Sequence, residues 1–389
     1  MARKSTPPAP AAAAAELPLA TAPAAPATAP ATAPATAPAT APATAPATAP
    51  ATGRALPVQM ADIARLAGVS VSTVSRALSD SALVNAETRS RVAELARSLN
   101  YSINVGAQNL RRKQNNTVAV IVPYDPDTGQ HLSDPFFLSL IGSLADALTE
   151  RGHDMLLTRV DAGRLDLAAQ VFHTGRAMGI VLVGQWHHHD QLNAMALRGV
   201  PFVVWGAQLP QQLYATVGSD NLAGGRLATA HLLAQGAQRI AFIGDPGLPE
   251  VLLRHQGYLQ AHADAGRAPD AGLLRALPFV PDRVGPEIEA MRQQGIGFDA
   301  VFAASDLLAM AAISALRRLG RAVPDDVAVV GYDDIALAEH FIPPLTTVRQ
   351  PIGEAGRVLV DLLLAQLAGQ RVASRQLGTQ LVVRHSSVR

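Results

Sequence analysis

Apolar residues recur along this chain with two different periods, and the change between them divides it. From Met60 the spacing is helical. A first helix is predicted over Met60–Leu66, and Gly68 supplies a turn. Ser70 can cap a second helix running to Leu78, accepting from the backbone N–H near Thr73. Asn85 can cap a third, with Glu87 in its first turn on the positive end of the dipole. There Val92, Leu95, Ala96 and Leu99 follow the i, i+3, i+4, i+7 rule and form one buried face. From Val118 short apolar runs alternate with amphipathic helices. The strand candidates are Val118–Val122, Met155–Thr158, Ile180–Val183, Phe202–Trp205, Ile240–Ile243, Ala300–Ala303 and Val327–Val330, with a late one at Leu381–Val383. The helices between them include Phe136–Glu150, Leu222–Ala234, Leu307–Leu319 and Gly353–Leu367. Apolar strands alternating with helices imply parallel sheets covered on both faces. Some 270 residues is large for one such sheet, so two lobes with a cleft between them are expected.

Residues 1–55 carry no such pattern. Ala-Thr-Ala-Pro repeats there with Pro30, Pro34, Pro38, Pro42, Pro46 and Pro50 in register. A proline at every fourth position cannot sustain a helix, and the unit has nothing large to bury, so a disordered, extended tail is expected. Arg3 and Lys4 ahead of Ala11–Ala15 suggest a secretory leader only superficially, because Pro7, Pro8 and Pro10 interrupt the run.

The bulk numbers narrow the class. The 389 residues are 49% hydrophobic and 16% charged, with no cysteine. That supports a sizeable core, excludes disulfides and cysteine-zinc sites, and fits a reducing, cytoplasmic setting. No stretch of 18 apolar residues marks a membrane span. The net charge of +1 hides an asymmetry: residues 53–113 come to +5 and residues 114–389 to −5. A small basic module on a mildly acidic body is the charge layout of a nucleic-acid reader that carries a second domain.

The run Asp62-Ile-Ala-Arg-Leu-Ala-Gly-Val-Ser-Val-Ser-Thr-Val-Ser-Arg76 resembles the helix-turn-helix of the LacI/GalR family of transcription regulators. The likeness continues through Val84-Asn-Ala-Glu-Thr-Arg-Ser-Arg-Val and Leu99-Asn-Tyr101. The apolar spacing independently buries Ala64, Leu66, Ala67, Val69, Val74 and Leu78 between helices, leaving Val71, Ser72 and Arg76 on the outer face of a probe helix suited to a major groove. The resemblance implies DNA contacts by Ser70, Val71, Ser72, Thr73, Ser75, Arg76, Asn85 and Tyr101. Val71 can offer apolar contact, Ser72 can donate or accept, and Arg76 can pair with guanine or hold phosphate. Gln59 stands where the family usually has a capping Ser or Thr, so the first helix should start weakly. The segment Asn104-Val-Gly-Ala-Gln-Asn-Leu-Arg-Arg-Lys113 resembles the family's hinge helix, which adds Asn104 and makes Leu110 a wedge for the minor groove.

The remainder resembles the two-lobed, periplasmic-binding-protein-like sensor of the same family, on Ser133-Asp-Pro-Phe-Phe137, Val217-Gly-Ser-Asp-Asn221, Arg254, Ala304-Ser-Asp306, Val330-Gly-Tyr-Asp-Asp334 and Pro343–Gln350. By that resemblance the effector contacts are Arg254, Ser305, Asp333 and Gln350, with Phe136, Phe137 and Trp205 as walls, and Arg254 and Asp333 fall at strand ends facing the cleft. An arginine fork, an acceptor carboxylate and flat rings suit a sugar or sugar derivative. Ser305 replaces a longer Asn or Asp, and Gly206 stands where some relatives carry Asp. The domains expected are a tail over 1–55, a DNA-binding head over 56–103, a hinge helix and linker over 104–116, and an effector-binding, dimerising domain over 117–389. The implied partners are double-stranded operator DNA, a small effector and a second copy of the chain, with no membrane, cofactor or metal. A repressor released by its sugar is the expected function. A ligand-dependent activator and a corepressor-dependent repressor share every feature so far. A sugar-transport binding protein would need a leader and no reading head. An enzyme would need a catalytic constellation. Gly295–Ala300 precedes a strand rather than following one, so it is no dinucleotide fingerprint, and His187-His188-His189-Asp190 reads as a solvated loop.

Overall fold

The computed structural model describes residues 59–79, 81–99, 101, 115–125 and 131–388. The repeat tail and the hinge segment with Asn104 and Leu110 lie outside the described residues. The chain divides into two compact units, at Tyr101 and Ser102.

The small unit is three helices, α1 (Met60–Ala67), α2 (Val71–Leu78) and α3 (Ala86–Ser98). Gly68 follows α1 at φ 64°, a left-handed conformation open to glycine at little cost, and turns the chain into α2. The Ser70 hydroxyl accepts from Thr73 N–H at 3.1 Å and Asn85 Oδ1 from Thr88 N–H at 2.8 Å, so both predicted caps form. At α1 the Asp62 carboxylate accepts from the Gln59 N–H at 3.0 Å, closing the first turn from within the helix. Ile63, Ala64, Ala67, Val74, Ala77, Val84, Val92 and Ala96 form the core. Leu66, expected inside, is 56% exposed. It lies about 100° round the helix from Ala67, and Ile63 takes the inward place.

The large unit holds two six-stranded sheets. The first contains β1 (Thr117–Tyr124), β2 (Asp154–Asp161), β3 (Gly179–Val183), β4 (Phe202–Trp205), β5 (Ala215–Ser219) and β11 (Arg375–Leu377), in the order β11-β5-β4-β3-β1-β2. All its pairings are parallel. The second contains β6 (Ile240–Ile243), β7 (Leu274–Arg275), β8 (Ala300–Ala303), β9 (Ala328–Asp333), β10 (Thr346–Arg349) and β12 (Gln380–Val382), in the order β12-β10-β9-β8-β6-β7. Here β12 runs antiparallel to β10, the one departure from the expected parallel sheets. Apolar side chains cover both faces of each sheet, as parallel sheets require.

In chain order the helices number on from the head: α4 (Pro135–Glu150), α5 (Ala169–His173), α6 (His189–Leu197), α7 (Asn221–Ala234), α8 (Pro249–Asp264), α9 (Val284–Gln293), α10 (Asp306–Arg318), α11 (Ala336–His340) and α12 (Ile352–Leu367). The chain passes between the sheets three times: from β5 to α7, from β10 to α12, and from β11 to β12. Hydrogen bonds tie two of these crossings, with Asp220 N–H donating to Leu377 O at 2.8 Å and Thr379 Oγ1 to Asp220 O at 3.3 Å. No helix among the described residues is long and apolar enough to cross a membrane.

Candidate functional site

The loops after β3, β4, β8 and β9 open into one cleft between the lobes, at the carboxyl ends of the strands where open α/β sheets bind ligands. Its space is about 670 Å³ out to the open mouth. All seven sequence-predicted effector residues line it: Phe136, Phe137, Trp205, Arg254, Ser305, Asp333 and Gln350. It is also lined by Asp134, Gln185, Trp186, Leu248, Glu250 and Phe279, which the sequence reading missed. Asp134 belongs to the Ser133-Asp-Pro-Phe-Phe137 motif, and Gln185-Trp186 follow the predicted strand Ile180–Val183 just after Gly184. Those two positions were signals that could have found them.

Arg254 is not at a strand end. It lies on α8, one turn beyond Glu250 and on the same face of that helix. It is 5% exposed and firmly held: Nε donates to Asn221 Oδ1 at 2.8 Å, Nη1 to Ala304 O, and the guanidinium lies 3.8 Å above the Tyr332 ring. Gly224 leaves the room that ring occupies. Asp333 ends β9 at φ 118°, unusual for a residue with a side chain. Its Oδ1 accepts from Gln350 Nε2 at 2.7 Å, and Gln350 Oε1 accepts from Ser219 Oγ at 2.6 Å. Gln350 therefore bridges two of the crossings, with its amide engaged by protein groups. Ser305 caps α10, accepting from Leu308 N–H at 3.3 Å.

The rings differ in role. Phe137 and Trp205 are largely core of the first lobe. Phe136 is half-buried, 6.3 Å from the Trp205 ring and 5.7 Å from Phe137. Trp186, half-buried at φ 50°, adds a second indole to the cleft.

Three carboxylates share the site. Burial pushes Asp333 up to about 7; Arg254 opposes the shift and Asp134 across the cleft adds to it. Burial also raises Asp134 and Glu250, with Arg254 opposing in the latter. Behind them Asp306, fully buried, accepts from Ile335 N–H at 2.9 Å and from the Thr347 hydroxyl. The cleft thus offers acceptors with weakened charge, one fixed cation and aromatic faces, a set suited to neutral polyhydroxylated ligands. Among the described residues no cluster of His, Asp or Glu could hold a metal. The histidine run divides: His187 is exposed, and His189 Nδ1 pairs with the Tyr214 hydroxyl at 2.9 Å.

In the head, Ser70, Val71, Ser72 and Arg76 are exposed on α2 and at its start, Thr73 and Ser75 half-buried on its flank. Asn85 is exposed at the start of α3, while Tyr101 packs against the head core.

Residues 59–104 match the bacterial regulatory proteins of the lacI family, and residues 229–387 a periplasmic binding protein-like domain. The HTH-type transcriptional regulator CelR of Thermobifida fusca is 36% identical over 331 residues, 83% of this chain and 96% of CelR. The HTH-type transcriptional repressor CytR of Escherichia coli K12 is 32% identical over 335 residues, 84% of this chain and 96% of CytR. Among solved structures, a lac repressor dimer bound to operator and the anti-inducer ONPF matches with a TM-score of 0.75 at 27% identity, covering 86% of this chain and 100% of that one. A CelR–cellobiose complex matches with a TM-score of 0.63 at 34% identity, covering 85% and 99%. This chain is a member of the LacI family of bacterial transcription regulators.

Proposed function

We propose that the protein is a homodimeric repressor that holds a palindromic operator and lets go when a neutral sugar enters the cleft. The observation that carries this is the convergence of Arg254, Asp333, Glu250, Asp134 and two indoles in one cleft of a chain that also carries an operator-reading head. Sugar hydroxyls would donate to the carboxylates and accept from Arg254, while the apolar face of the ring lies on Phe136 or Trp186. The cellobiose bound by CelR and the operator bound by the lac repressor dimer support the same reading. In this scheme residues 56–103 read DNA, 104–116 form the hinge with Leu110 as wedge, and 117–389 sense ligand and dimerise. A protein working on DNA acts in the cytoplasm, and the cleft binds rather than catalyses.

The route of signalling runs through the crossings. The Ser219–Gln350–Asp333 chain joins β5, β10 and β9, so a ligand that engages Asp333 biases the angle between lobes. It shifts operator affinity only by its differential affinity for the two lobe arrangements. The test is fluorescence anisotropy of labelled DNA, selected by the protein from a random pool, titrated with neutral sugars. Release at saturating sugar is expected. Specific DNA binding that no sugar alters would overturn the proposal.

A further inference from the structure

After β3 the chain runs through Gly184 at φ 96°, Gln185, and Trp186 at φ 50°. The two positive φ angles turn the Gln185 side chain inward, where it is 0% exposed. One end of its carboxamide is held in place. Nε2 donates to the Tyr214 hydroxyl at 3.0 Å, which pairs with His189 Nδ1 at 2.9 Å. His189 Nε2 meets Asn193 Nδ2 at 3.2 Å. Asn193 is itself fixed, its Oδ1 accepting from Leu213 N–H at 2.8 Å and its Nδ2 donating to Gln211 O at 3.1 Å.

The other end is not held. Among the described residues Gln185 Oε1 is buried with no hydrogen-bond partner, and Gln185 lines the cleft. A buried acceptor without a donor is costly and rare enough to need an explanation. A second observation comes from Gly206, at the end of β4. A Cβ there would lie 2.7 Å from Gln185 Oε1, 2.8 Å from its Cδ and 3.0 Å from its Cγ. The carboxamide therefore fills the volume in which a side chain at 206 would stand.

We propose that Gln185 is an effector-binding and specificity residue: its Oε1 accepts a hydroxyl of the bound sugar, and residue 206 is glycine because the carboxamide takes its side-chain space. This rests on the reading of the cleft as a sugar site. The consequence is selectivity for one hydroxyl. A sugar lacking it leaves the oxygen unsatisfied in the complex, and buried polar groups discriminate strongly against such analogues.

The test uses the full chain and a panel of glucose, galactose, ribose, cellobiose and maltose, screened by thermal shift, with calorimetric titration of each sugar that stabilises the parent. Gln185→Met keeps size and removes the acceptor. Its melting temperature without sugar should stay within about 2 °C of the parent's, because the lost bond from Nε2 to Tyr214 and the removal of an unpaired buried oxygen oppose each other. Its affinity for the sugar should fall roughly three- to tenfold. Gly206→Asp alone should weaken binding by displacing Gln185. Combining it with Gln185→Ala, which vacates that volume, should recover affinity lost in each single variant. A parent that no panel sugar stabilises would overturn the sugar-site reading and this inference with it. A parent that binds while Gln185→Met binds equally well would overturn the inference alone. So would strictly additive losses in the double variant.

Discussion

Replacing Arg254 by alanine separates a ligand contact from a structural anchor. The guanidinium is 5% exposed, donates to Asn221 Oδ1 and Ala304 O, lies over the Tyr332 ring and opposes the upward shift of Asp333. Its loss strands two buried acceptors and leaves Asp333 without its cation. Removing one partner from a buried charged network costs about 3–5 kcal/mol. For a domain of this size that lowers Tm by about 6–20 °C. A residue that served the ligand alone would lower sugar affinity and leave Tm where it was. Thermal unfolding without sugar, followed by near-ultraviolet circular dichroism, distinguishes the two. Pairing the change with Asp333→Asn gives a sharper readout. Once residue 333 is neutral, part of the penalty is gone, so the double variant should be more stable than the sum of the singles implies by about 1 kcal/mol or more. An Arg254→Ala protein melting within about 2 °C of the parent, or strictly additive losses, would refute the anchoring argument.

Further outcomes follow from the same geometry. Asp333 titrates near 7 in the folded chain, well above an unfolded aspartate, so the native state holds the extra proton and its contribution to stability falls as pH rises from about 4 to about 7. The groups facing it are Arg254, Asp134, Gln350 and Asp306; His231, His255 and His262 are lowered and act in the opposite sense below their ordinary range. Comparing melts of the parent and Asp333→Asn cancels the histidines, and the difference should move in the variant's favour from pH 5 to pH 8, both round working values; a constant difference would contradict it. Ser70→Ala removes the cap bond to Thr73 and should cost the head about 1 kcal/mol, read by amide exchange in α2. Arg76→Ala should weaken selected operator DNA by about 1–3 kcal/mol if it pairs with a base, whereas an equal loss on random DNA at the same salt would mark a phosphate contact.

The strands that sequence pattern located are those with unbroken apolar runs, such as Phe202–Trp205 and Ala300–Ala303. Those it passes over are short or mix in polar or small residues: Ala215–Ser219 with Thr216 and Gly218, the two-residue Leu274–Arg275, Thr346–Arg349 with two threonines, and Arg375–Leu377, mostly exposed. The helix Pro249–Asp264 escaped for a related reason. Its buried face includes Arg254, Gly257 and His262, so no apolar period announces it, and the sequence motif alone puts Arg254 at a strand end. The cleft residues carried by motifs were legible. For Gln185 and Trp186 the only trace is their place just after a strand, because a loop residue turned inward beside positive φ angles has no periodicity; the glycine at 206 is the visible half of the Gln185 pair.

Control of DNA binding by the cleft, as proposed, is directly measurable through the chain's two tryptophans. Both Trp186 and Trp205 line the cleft, so intrinsic fluorescence reports occupancy while anisotropy of a labelled operator reports binding in the same cuvette. Sugar should change both signals over one concentration range, with operator released as the cleft fills. A sugar that fills the cleft by tryptophan fluorescence and leaves operator affinity unchanged would contradict it.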